Sequence, residues 1–149
     1  MTFKEQVHRR CIEMVSNKIR LLQLTLHDLK ESASNETKST AGDKHETALA
    51  MLQIEQANTS AQLDNVLSQK VFLDKITPTL RATHVAKGSL VKTNNGYLFI
   101  SIALGKITVE GIPVIALSPQ SPLGSKLVGL RENETTVVNG VTYLVLSIE

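Results

Sequence analysis

The sequence predicts an α+β protein of two architectures in series: an antiparallel α-helical coiled-coil hairpin, then a small antiparallel β domain with one short helix. Three observations predict it. Residues 1–77 hold no Pro and a single Gly, Gly42, whereas residues 78–149 hold all four Pro and the other seven Gly. The first segment repeats apolar residues in steps of three and four. The second offers short β-branched runs separated by turn residues.

The hairpin follows from two seams. Ile12, Val15, Ile19, Leu22, Leu26, Leu29 and Ala33 form an unbroken apolar seam of coiled-coil spacing. A weaker one runs through Leu49, Leu52, Gln56, Thr59, Leu63, Val66, Lys70 and Leu73. With the chain folded back, Ile12 meets Leu73, Ile19 meets Val66, Leu22 meets Leu63 and Ala33 meets Leu52. Each pair of numbers adds to 85, so the fold point falls between Gly42 and Asp43, with the tip near 40–46. Independently, Ser39 to Asp43 supplies a helix stop, a Gly for the C′ position and an Asp for the next N-cap. At 1.5 Å rise per residue, arms of some 35 residues span roughly 50 Å. The middle is softened, because Leu29 and Leu26 would face Gln56 and Thr59. Such a finger reads either as a plain spacer or dimerisation arm, or as a device whose far end must reach something.

Composition removes several function classes. With 42% hydrophobic residues and near-balanced charge, 16 Lys+Arg against 14 Asp+Glu, the chain is not disordered throughout. Net +2 is too weak for attraction to nucleic acid or anionic membrane to be the main theme. No Trp and five Phe and Tyr argue against a stacking platform for single strands. No run of 18 apolar residues and no signal-peptide core occur. Cys11 is the only cysteine, which excludes an internal disulfide, fits a reducing cytoplasm and reads as a buried, inert thiol. The triplets at Asn35, Asn58 and Asn133 are chance matches to a glycosylation pattern. A cytoplasmic protein is expected.

The tip carries the concentrated polar chemistry. Asp43 and Glu46 stand three apart at the start of the second helix, neighbours on one face. One reading is a near capping box, in which both carboxylates satisfy orphan backbone N–H groups. The other is a pair of hard oxygen ligands for Mg²⁺, too few for a dedicated cage, so the ion would be shared with a partner's ligands or with phosphate.

In the second half, strands are expected over 85–93, 96–104, 106–110 and 113–117. Ser121-Pro122 reads as an N-cap with Pro at N1, opening a helix over 123–128 that stops at Gly129. Runs 135–138 and 141–148 flank Asn139-Gly140, the signature of a type I′ hairpin turn. No Gly-rich phosphate loop, metal-spaced Cys/His cluster or nucleophile–base set occurs. This half reads as a docking module, and the chain as no enzyme in its own right.

These motifs together resemble the bacterial Gre transcript-cleavage factors over nearly the whole chain. The family's tip pattern GDLSENAEY aligns with residues 42–50, matching at Gly42, Asp43, Glu46 and Ala48. Its V-x-x-G-S-x-V matches Val85, Gly88, Ser89 and Val91. Its S-P-[IL]-G-x-x-L-x-G matches Ser121, Pro122, Leu123, Gly124, Leu127 and Gly129. The resemblance implies an FKBP-like C-terminal domain over 78–149, docked at the secondary channel of RNA polymerase, with the hairpin of 1–77 inserted into it. It implies that Asp43 and Glu46 hold a second Mg²⁺ at the polymerase's own active site, shared with the polymerase, for cleavage of backtracked RNA. Gly42, Lys44 and His45 would then shape the tip. The nascent RNA 3′ end would be an indirect partner, with no membrane and no sequence-specific DNA binding. The tip departs from the family where Lys44-His45 replace Leu-Ser, Thr47 replaces Asn, and Leu49-Ala50 replace Glu-Tyr.

Two other functions fit the same residues. A secondary-channel regulator without cleavage activity accommodates the altered tip. A coiled-coil interaction module with no polymerase partner accommodates the hairpin alone. A prolyl isomerase is set aside, since such sites are aromatic-lined and the β half has Tyr97, Phe99 and Tyr143 alone.

Overall fold

The computed structural model describes residues 1–37 and 42–149, the side chains of residues 37 and 42–45 excepted. Two long helices open the chain, α1 (Phe3–Thr37) and α2 (Gly42–Asp74). Thr2 starts α1: its hydroxyl accepts from the Glu5 N–H at 3.1 Å, and Glu5 stands in the first turn where the helix dipole favours an acid. No helix among the described residues is long and apolar enough to cross a membrane.

Six strands and a third helix follow: β1 (Leu90–Thr93), β2 (Gly96–Ile100), β3 (Gly105–Val109), β4 (Ile112–Leu117), α3 (Pro122–Leu127), β5 (Thr135–Val138) and β6 (Val141–Ile148). The fold is therefore the expected α+β arrangement of a helical pair followed by a mostly antiparallel sheet with a short helix. The sheet order is β3-β4-β2-β1-β6-β5. Asn139 (φ 50°) and Gly140 (φ 76°) both take left-handed conformations, as a type I′ turn between β5 and β6 requires.

One strand pair departs from the expectation of a purely antiparallel domain. β2 and β4 run parallel, with Leu98 opposite Ile115 and Phe99 opposite Ala116. The cause is visible in the β3–β4 hairpin. β4 buries Val114, Ala116 and Leu117 and takes the inner position, while β3 exposes Lys106 and Thr108 and takes the edge. A charged, polar edge also resists strand addition by another chain.

The sheet is buried on both faces at its centre. Val91, Leu98, Ile100, Val145 and Ile148 join Leu117 and Leu127 of α3 in one core cluster. The alternate residues Leu90 and Phe99, paired across β1 and β2, are buried as well. Phe99 meets His8 of α1 edge-on, ring centroids 6.5 Å apart, and Tyr97 meets Phe3 at 5.1 Å. The start of α1 thus covers the second face.

α3 is short and tightly built. The Ser121 hydroxyl accepts from the Gly124 N–H at 3.0 Å and donates to the Ser118 carbonyl at 2.6 Å. A Cβ on Gly124 would stand 2.1 Å from that same carbonyl oxygen, so the glycine is a requirement of space.

The chain divides into two compact units: residues 1–13 with 71–149, and residues 14–70.

Candidate functional site

Within residues 14–70, burial follows the two seams. Along α1, Val15 is buried and Ile19, Leu22, Leu26, Leu29 and Ala33 are half-buried; between them Leu21 and Leu24 are exposed. Along α2, Thr59 and Val66 are buried and Leu49, Leu52, Gln56, Leu63 and Lys70 half-buried, with Met51 and Ile54 exposed. The Gln56 side-chain amide donates to the Leu29 carbonyl at 3.5 Å. That pair lies on the expected 85 register, so the helices pair antiparallel with the stagger that the seams require.

The helix boundaries correct the expected turn. α1 ends at Thr37 and α2 already begins at Gly42, so Gly42 does not sit at C′ and Asp43 is not the N-cap. A first-turn residue needs no intrahelical partner for its N–H, so a glycine there costs the helix little. The connection, residues 38–41, lies outside the described residues. So do the side chains of Asp43, Lys44 and His45, three of the five expected tip positions, while Gly42 is placed by its backbone as the first residue of α2. Glu46 is described, and it is exposed. On the backbone, Asp43 and Glu46 stand three positions apart at the N-terminal end of α2. The donor chemistry suits Mg²⁺, since both are carboxylates, but two such residues leave most of an octahedral shell to other ligands.

The other ends of the helices are fixed within the first unit. Lys4 Nζ donates to the Leu80 carbonyl at 2.7 Å, and His8 Nε2 lies 2.8 Å from the Leu73 carbonyl at the end of α2. Val7 and Cys11 are fully buried beside them. Burial pushes the Cys11 thiol up to about 12, the inert thiol expected from sequence. The seam reading began at Ile12 and missed this anchor. Its signal is the four-residue spacing Val7, Cys11, Val15, which leads the apolar stripe back to the first turns of α1.

No protein-family model matches the chain, and no curated protein matches it. Among solved structures it is similar to one described as the structure of the transcription factor Gfh1. Identity there is 16%, coverage is 92% of each chain, and the TM-score is 0.37. It is also similar to the crystal structure of Thermus aquaticus Gfh1, at 16% identity over 91% of this chain and 92% of that one, with a TM-score of 0.35.

Proposed function

We propose that this chain is a Gre-type transcription factor that binds RNA polymerase at its secondary channel and stimulates the polymerase's own cleavage of backtracked RNA. The observation that carries the reading is the acidic pair Asp43 and Glu46, three apart at the start of α2, beside the connection between two long paired helices. The motif matches at Gly42 to Ala48 and at Ser121 to Gly129 support it. The polymerase supplies the catalytic centre. Mg²⁺, when bound there, supplies activation of a water for attack on the RNA phosphodiester. The hairpin's part is to deliver two carboxylates, and the sheet domain's part is to dock.

A second reading, a secondary-channel regulator without cleavage, is favoured by Lys44 and His45. A cation beside the carboxylates competes with a metal for their charge. Both readings predict polymerase binding, and a pull-down that recovers no polymerase contradicts both. They separate on a stalled, backtracked elongation complex. Cleavage stimulation predicts faster RNA shortening with the wild-type chain than with Asp43→Ala/Glu46→Ala. Equal rates leave the regulator reading.

A further inference from the structure

The unit formed by residues 1–13 and 71–149 contains an open cleft of about 620 Å³ whose wall carries Lys4, Lys75, Arg81 and Lys87 and no acidic residue. Arg9 and Arg10 pair with Glu13 on α1, whereas none of the four cleft cations stands in an ion pair with a described residue. Glu149 acts on Lys4 from outside this wall, and the wall itself carries cations alone, so it attracts an anionic ligand.

Two of the four are held in place. Lys4 is 6% exposed and spends one of its three protons on the Leu80 carbonyl. Burial lowers its pKa, while Glu149 nearby works in the opposite direction. Arg81 donates from Nε to the Ile148 carbonyl at 3.0 Å, which fixes the guanidinium and leaves its two Nη groups for a ligand. Lys75 and Lys87 are exposed on the same wall. Beside Thr77 and Ser89, the wall has an apolar part made by the half-buried ring of Phe72 with Ile76 and Leu80.

We propose that this cleft binds a nucleoside di- or triphosphate, the phosphates taken by the four cations and the base lying on the apolar wall at Phe72. A lone phosphate would leave most of such a volume and the apolar wall unused, whereas a small organic ligand is the usual occupant of a cleft this size. An aromatic face accepts any base, and several converging cations suit a polyphosphate. The inference is independent of the polymerase reading, since the cleft involves none of the tip residues.

Isothermal titration calorimetry on the full chain tests it with GTP, ATP, guanosine, pyrophosphate and a short single-stranded RNA. Expected is binding of GTP or ATP with a Kd of about 1 mM or tighter, weakened about tenfold or more by Lys75→Ala/Lys87→Ala, with guanosine much weaker. Phe72→Leu is expected to weaken nucleotide binding and leave pyrophosphate binding unchanged. Circular dichroism spectra checked against wild type keep a folding defect from imitating the result. Absence of nucleotide binding overturns the proposal, as does nucleotide binding indifferent to both variants. Pyrophosphate binding as tight as GTP overturns the base contact, and RNA binding without nucleotide binding reassigns the cleft to a polymer.

Discussion

Gln56 stands opposite Leu29 across the helical pair, its side-chain amide donating to the Leu29 carbonyl at 3.5 Å. A polar side chain therefore occupies a half-buried seam position facing a leucine. The carbonyl belongs to a helix interior and has its own backbone partner, so the long side-chain bond adds little. Gln56→Leu restores the apolar seam and is expected to raise stability by about 1 kcal/mol, with Tm rising by about 2–4 °C. Thermal unfolding followed by circular dichroism checks it. A lower Tm would show that the carbonyl contact outweighs the apolar gain.

Gly124 marks the opposite case, a position with no spare volume. A methyl there meets the Ser118 carbonyl that also accepts from the Ser121 N–H and hydroxyl. Gly124→Ala is expected to open this turn and to cost about 3 kcal/mol in urea unfolding. Gly140→Ala strains a left-handed turn residue whose surroundings are open, and should cost about 1 kcal/mol. Equal losses would mean that backbone conformation, and not crowding, governs both sites.

Cys11 supplies a pH signature. Burial pushes its folded-state thiol up to about 12, against an ordinary value of 9.0. Between those values the unfolded chain releases the proton and the folded chain keeps it. The unfolded state then binds fewer protons, so stability falls as pH rises through this window. Cys11→Ala should flatten that part of the stability–pH curve. At pH 8 the native thiol should also resist Ellman's reagent and react once urea unfolds the chain. A prompt native reaction would place the thiol within reach of solvent.

Much of the fold was legible from sequence, for reasons that differ along the chain. The seams were readable because one face of each helix is buried and the other solvated, as Leu22 against Leu21 shows. The β5–β6 hairpin and the Ser121 cap were readable because Asn139-Gly140 and Ser121-Pro122 are local signals. The parallel β2–β4 pair was not, since strand order depends on which of β3 and β4 takes the inner place, a competition between distant surfaces. Nor was the double burial of β1 and β2, although the run Leu98-Phe99-Ile100 carries its mark. The turn was misplaced because a glycine tolerates a helix start as well as a helix stop. The basic cleft escaped because its cations come from segments some 70 residues apart, and net +2 averages them away.

The central claim is that Asp43 and Glu46 help hold Mg²⁺ for RNA cleavage, and the Mg²⁺ dependence of that cleavage tests it most directly. RNA shortening by a backtracked polymerase is measured across a Mg²⁺ titration with wild-type chain and with Asp43→Asn. Asn keeps the size of the side chain and removes its charge; at a helix N-terminus that change costs about 0.5 kcal/mol, so the variant stays folded. Expected is a half-maximal Mg²⁺ concentration at least about tenfold higher for Asp43→Asn at matched polymerase binding. Superimposable titrations would contradict the metal-holding role.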